Sequence, residues 1–381
     1  MRIEVYSPTI RRKEMDAVLT AMVEDKIGPG EQAKFLIQTA REKIKFDYCL
    51  ALRSPAIALH LALQSLNLER GQAVLVSALS PLYYQRVIAD LGLIPLYCDV
   101  PSFSACLSRQ SVEKALAEKS EALDVRCIVL HHNLGYLSDA AAIAELGIPV
   151  IEDCSHSYGT FVPEEEDAAT VAPHNPAAAN DSDANTSTDS KSEGSSRAVS
   201  DFPVGNVGVF TILGFEERDM LTCGGGALLY AHNRRDASVL RGLEQLPAEY
   251  GLPDMNAALA VVQFKEAAKN FVKRREIAAL YTQSALRTRH KRFVTADCEY
   301  NNYAFSLILE TGVKDVKAYA RKKDIAVESA FENTLVGSGI VPPEHCPEAY
   351  SLSLRTVLFP LYPRLKMSDA ERIAKLIVTL P

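Results

Sequence analysis

The apolar run Pro149-Val150-Ile151 ends in Glu152 and Asp153, and His156 follows three positions after Asp153. A carboxylate and an imidazole at the carboxyl end of a buried strand sit where an α/β sheet holds its ligands. Farther upstream, Ser54-Pro55-Ala56 opens an apolar helical pattern. A hydroxyl at the N-cap with proline at the first helical position is a good helix start, although Pro55 lacks the N–H that an anion site would use. Thr211 places a hydroxyl on a later strand, and Glu216 and Glu217 put two carboxylates in the loop after it. Gly224-Gly225-Gly226 reads as a tight turn rather than a phosphate loop. The pair His131-His132 has no third ligand nearby, so no metal site is expected.

These groups need a scaffold, and the chain supplies an alternating one. Short apolar runs at 48–52, 73–77, 95–98, 126–130 and 149–152 are separated by helical patterns at 55–66, 84–91 and 138–146. That alternation implies a mainly parallel sheet covered on both faces. Strands are expected at 206–213 and 226–231 around the glycine turn, then a long helix over 255–286. The helix should bridge to a smaller C-terminal α/β unit with strands at 303–309 and 356–359 and a last helix at 368–378. At 381 residues the chain is too long for one growing core, so a large domain over 1–255 and a connecting helix with a small domain over 256–381 are expected. Between about 164 and 200 the sequence is Ala, Ser, Asp, Asn and Thr with almost no large apolar residue. Such a stretch does not offset its own ordering entropy and reads as a disordered acidic insertion.

The net charge of −7 is local: between Pro163 and Asp201 nine acidic residues face two basic ones, and the rest of the chain is formally neutral. Nothing suggests a nucleic-acid surface. Eight cysteines are scattered singly without a C-x-x-C pair, which suits buried thiols in a reducing compartment. No apolar run is long enough to span a bilayer and no basic-then-apolar leader begins at Met1, so a cytoplasmic location is expected.

The stretch from Pro149 to Gly159 resembles the DegT-type aminotransferases, the sugar-modifying branch of the fold-type-I pyridoxal phosphate (PLP) enzymes. The likeness runs nearly end to end: Gly28-Pro29-Gly30, the helix around Ala58 to Leu63, His132-x-x-Gly135-x-x-x-Asp139, Gly205 to Thr211, Lys273 to Ala278, and Leu358 to Pro363. By resemblance, the fold is aspartate aminotransferase-like and the protein a homodimer. The substrate class is a nucleotide-linked keto sugar, and the cofactor is PLP or pyridoxamine phosphate (PMP). Asp153 would bind the pyridine nitrogen and His156 the ring hydroxyl, with Ser54, Ala56 and Thr211 near the phosphate.

The chain departs from the family where the cofactor lysine belongs. That position falls on Glu216 counted from Phe210, or on Glu217 counted back from the glycines, and no lysine occurs between Gly205 and the long helix. Only an amine forms an imine with PLP. The family's Ser-Gly-Thr phosphate segment is Ser54-Pro55-Ala56 here, and the ring-stacking aromatic falls near Pro81, with Tyr83 as a substitute. The expectation is a family member without standard transaminase activity. Its alternatives are a PMP-dependent dehydratase-like enzyme, whose lysine-free relatives carry His at this place, or an aminotransferase that recruits another lysine.

Overall fold

The computed structural model describes residues 2–119, 122–161, 205–243, 245–294, 298–310 and 312–381. The expected insertion at 164–200 lies outside them. Two helices lead in, α1 (Arg12–Val23) and α2 (Glu31–Ile44), followed by β1 (Tyr48–Leu52), α3 (Pro55–Ser65), β2 (Ala73–Ser77), α4 (Tyr83–Asp90) and β3 (Ile94–Cys98). Then come α5 (Arg109–Lys119), β4 (Val125–His131), α6 (Ala140–Ala144), β5 (Val150–Asp153), β6 (Phe210–Gly214) and β7 (Ala227–Ala231).

These seven strands form one sheet in the order β1-β7-β6-β5-β4-β2-β3. Pairings from β3 through β6 are parallel, and β7 runs antiparallel to both β6 and β1. The strands are apolar and buried because helices cover both faces. Leu59, Leu61 and Tyr84 of α3 and α4 fill one side, and Leu36, Phe264 and Phe215 fill the other. Strand order changes direction between β2 and β4, so the crevice beyond their carboxyl ends is the place for a ligand.

After β7 follow α7 (Arg234–Arg241) and α8 (Asp254–Ala285), a 32-residue helix packed against α1 and α2. The remaining elements are β8 (Phe305–Ile308), α9 (Val313–Arg321), β9 (Glu328–Ser329), α10 (Pro347–Arg355), β10 (Thr356–Phe359) and α11 (Met367–Val378). An antiparallel sheet β8-β10-β9 and α11, which also packs on α8, enclose a separate core around Ile277, Val357 and Ile373. Among the described residues no helix is long and apolar enough to cross a membrane.

The strand expected over 206–213 begins only at Phe210. Glu152 explains the delay, because its carboxylate accepts the N–H groups of Val207 (2.9 Å) and Gly208 (2.6 Å), which would otherwise enter a ladder. Helices α1, α5, α7, α9 and α10 and strand β9 add to the elements that the sequence pattern marks.

Candidate ligand site

Asp153 ends β5, and the pleat sends it toward α3 and α4 while Glu152 faces the opposite side. Its Oδ2 accepts from the Tyr84 hydroxyl at 2.7 Å and the Tyr83 hydroxyl at 3.1 Å. Oδ1 accepts from the N–H of Ser155 at 3.0 Å and from its hydroxyl at 2.5 Å. A carboxylate offers about four lone-pair directions, so these four donors saturate it. Burial alone would raise its pKa, but the His131 ring at 3.4 Å and the hydroxyl donors outweigh burial and hold Asp153 well below the usual carboxylate range.

His156 lies over Tyr303 with ring centroids 4.2 Å apart and planes 19° from parallel. Its Nδ1 accepts the Leu134 N–H at 3.4 Å, which assigns the proton of the neutral ring to Nε2. Burial pushes its pKa down to about 3, so the ring is neutral at physiological pH. The main chain around it is pinned by Asn301, whose amide donates to His156 O at 2.7 Å and Tyr158 O at 2.9 Å.

The loop after β6 holds a residue that sequence counting passes over. Glu216 N–H donates to Asp219 Oδ2 at 2.7 Å, and Asp219 N–H returns to Glu216 O at 3.1 Å. This closed turn folds Asp219 inward, leaving it 8% exposed, while Glu216 and Glu217 stay exposed. Burial, then the charges of Asp153 and Glu216, push Asp219 up to about 8 against the pull of the Glu216 N–H. Its Oδ1 lies 3.8 Å from His156 Nε2, too far for a hydrogen bond. Gly214 is required beneath it, since a Cβ there would stand 2.4 Å from Asp219 Oδ2 and 2.7 Å from Ser155 Oγ.

These groups floor a cleft of about 720 Å³, closed on its far side by residues between Glu328 and Thr334 and by Leu358 of the C-terminal part. Of the expected site residues, Asp153, His156 and Glu216 line the cleft, as do Pro81 and Tyr83, whereas Ser54, Ala56, Thr211 and Glu217 do not. Ser54 spends its hydroxyl oxygen as the α3 cap, accepting the Ile57 N–H at 3.3 Å. Thr211 is wholly buried, with its hydroxyl donated to Gly205 O. The glycines adopt positive φ of 77°, 132° and 134°, as a turn requires.

His132 does acquire neighbours of metal-ligand type, contrary to its reading in isolation. Glu152 and Cys154 bring ligand atoms within 4.8 Å of it from the adjacent strand and the residue beyond. The ring is nevertheless committed, with Nδ1 accepting the Ser138 N–H and Nε2 facing Glu152 at 3.0 Å. This is a buried hydrogen-bond network tying β4 to β5.

Against known proteins, residues 8–378 match the DegT/DnrJ/EryC1/StrS aminotransferase family. A curated relative, the L-glutamine:2-deoxy-scyllo-inosose aminotransferase of Streptomyces paromomycinus, is 26% identical over 152 residues. That stretch is 39% of this chain and 35% of the relative, so the chain matches about a third of that protein's length. A Streptococcus pneumoniae protein solved in PMP and PLP forms superposes in its PMP form with a TM-score of 0.79 at 16% identity, covering 100% of this chain and 97% of that one. GDP-4-keto-6-deoxymannose-3-dehydratase (ColD), solved as a mutant with bound GDP-perosamine, gives 0.77 at 13% identity over 98% and 100%. At these identities the superpositions establish the fold.

Family and neighbours point to PLP or PMP as the cofactor of such sites, and this chain's residues fit that group poorly. No lysine lines the cleft among the described residues. The seat for a ring nitrogen on Asp153 is taken by tyrosine and serine donors. Of the first-turn donors of α3, Pro55 has none, Ile57 is capped by Ser54, and Ala58 bonds Ser54 O at 3.1 Å, which leaves at most the Ala56 N–H for an anion. The ancestry is carried instead by the whole architecture, since the parallel sheet, the long linking helix and the cleft all fall within one continuous match: the chain belongs to the DegT/DnrJ/EryC1/StrS aminotransferase family.

Proposed function

We propose that this protein binds a nucleotide-linked sugar in the cleft and does not carry out lysine-based transamination. One observation carries the reading: the loop that should present an amine presents carboxylates, with Glu216 at the cleft mouth and Asp219 on its floor. A carboxyl group cannot condense with an aldehyde, and no lysine reaches the cleft from the described residues to replace it. The residues that remain suit ligand binding. Tyr303 and Leu358 give the cleft apolar surface, and the exposed Asn333 supplies a polar group for sugar hydroxyls.

A PMP-dependent dehydratase reading rests on the likeness to ColD, but it needs a free ring seat, and Asp153 has none to give without releasing a tyrosine. Homodimer formation is part of the proposal. Met15, Leu19, Met22 and Val23 of α1 are all at least half exposed, a set of apolar side chains that self-association would cover.

Incubation with excess PLP, borohydride reduction and peptide mass spectrometry test the central reading. The expected result is only scattered, substoichiometric pyridoxyl adducts on exposed lysines such as Lys34 and Lys114. A stoichiometric adduct on one lysine refutes it.

A further inference from the structure

We infer that the protein carries a buried site for a single chloride ion, held by Arg274 in a small cavity behind the loop that floors the cleft.

The first observation is a buried charge without a counter-ion. Arg274 projects from α8 and is only 6% exposed. Its Nη1 donates to three main-chain carbonyls, Asn302 O at 3.2 Å, Tyr303 O at 2.9 Å and Leu361 O at 3.0 Å. Carbonyl dipoles orient the group but do not cancel its charge. Among the described residues no carboxylate pairs with it. Burial draws its pKa down to about 10, with only the neutral phenols of Tyr6 and Tyr303 beside it, so the guanidinium stays charged at neutral pH. Glu14, a buried carboxylate on the same side of α8, accepts from the Arg11 N–H at 3.0 Å and from Gln263 Nε2 at 3.4 Å and stays out of the cavity wall. A buried charge left unpaired is among the costlier arrangements in a fold.

The second observation is the space beside it. Arg274 lines a cavity of about 10 Å³ together with Thr9, Thr222, Gln263 and Asn270, and no acidic residue forms part of that wall. All four neighbours are more than nine-tenths buried. Arg11 Nη1 donates to Asn270 Oδ1 at 3.1 Å, which leaves Asn270 Nδ2 as a donor for something else. That nitrogen, with Nε and Nη2 of Arg274, has no acceptor among the described residues, yet none of the three is sealed in protein, so they open on the cavity.

Size and charge together select the ligand. The volume suits one water-sized sphere, which excludes phosphate, sulfate and any carboxylate with a chain attached. Water would accept the N–H groups but would leave the charge unmatched, whereas a halide answers both. The wall draws on four separate segments: Thr9 near the N-terminus, the stretch Met220 to Thr222 that follows Asp219, α8, and Pro363 of the C-terminal part. One ion therefore ties the cleft loop to the long helix and to the C-terminal part, and its binding should be read in stability.

The test is thermal unfolding of the full chain with chloride replacing gluconate at constant ionic strength. From about 1 mM to about 300 mM chloride, Tm should rise by about 2 °C. Asn270→Asp sets a fixed carboxylate against Arg274 and keeps an oxygen for Arg11, so it should remove the chloride dependence and raise Tm above that of the wild type in chloride-free buffer. Wild-type crystals grown in sodium bromide should show one anomalous peak in contact with Arg274 and Asn270. A Tm that is the same in chloride and gluconate overturns the inference, as does a cavity that holds only water in the bromide crystals. Full chloride dependence in a folded Asn270→Asp refutes the assigned position.

Discussion

Asp219→Asn isolates the energetic cost of an acid buried in this cleft. Asparagine keeps the shape and still offers an oxygen to the Glu216 N–H, which Asp219 Oδ2 accepts at 2.7 Å. In the unfolded chain the aspartate gives up its proton near pH 4, but in the folded protein it holds the proton up to about 8. Between those values the folded state binds more protons than the unfolded one, so stability falls as pH rises, by about 1.4 kcal/mol per unit. Above the folded value the loss is complete and the curve flattens. From about pH 6 to about pH 8 the wild type therefore loses roughly 2.3 kcal/mol through this group, the slope easing as half the protons leave by the folded value, and the asparagine variant loses nothing through it. The assay is urea unfolding of both proteins across that range, read as the difference between them so that titrations common to both cancel. The variant should gain on the wild type by about 2–3 kcal/mol over the interval, with most of the gain before pH 8. A difference that stays flat within about 0.5 kcal/mol would mean that Asp219 is already ionised at the low end, and the picture of a desolvated floor acid would be wrong.

Three other perturbations probe the same site. Tyr84→Phe removes the shortest tyrosine donor to Asp153 from a wholly buried position, and urea unfolding should show a loss of about 1.5–3 kcal/mol. Gly214→Ala drives a methyl group into Asp219 Oδ2 and Ser155 Oγ, and calorimetry should show about 1–3 kcal/mol of destabilisation. Glu216→Lys returns an amine to the cleft mouth, yet no imine absorbance is expected on adding PLP, because the seat on Asp153 and most of the α3 N-terminus remain closed. A stoichiometric imine band in that variant would show that the lysine alone was missing.

The fold is legible in the sequence because its signals are local. Tyr48–Leu52, Ala73–Ser77 and Thr356–Phe359 match their expected bounds, since apolar runs of that length flanked by breakers have few other uses. Helix α5 escapes such a reading because it is short and polar, so periodicity gives little to read, whereas α9 carries a readable pattern, with buried Val316 and Ala320 four apart on one face, and escapes through its shortness alone. Asp153 and His156 are legible for the same reason as the strand before them. By contrast, Asp219 is hidden by a turn. Counting residues along a loop assumes that the loop is traversed evenly, whereas the reciprocal bonds between Glu216 and Asp219 fold the loop back and bring the later residue inside.

The tyrosine pair shows a different limit, because a residue type does not say which of its atoms is used. Tyr83 is expected from sequence as a ring to stack on a cofactor, and nothing marks Tyr84. In the folded protein both spend their hydroxyls on Asp153, so they occupy the acid that a cofactor ring would need. On the proposed reading, the missing lysine, Pro55 at the α3 N-terminus and the tyrosines on Asp153 lie in separate segments, and each would deny a different contact to the same group. A site that had lost one anchor by drift would keep the others available. Because all three point the same way, restoring one should not restore cofactor binding. Tyr83→Ala with Glu216→Lys, which reopens two anchors at once, is therefore the variant expected to bind PLP if any combination does. Absorbance of that pair, compared with each single change, measures whether the closures act together. Equal bands in the pair and in Glu216→Lys alone would show that the tyrosine closes nothing.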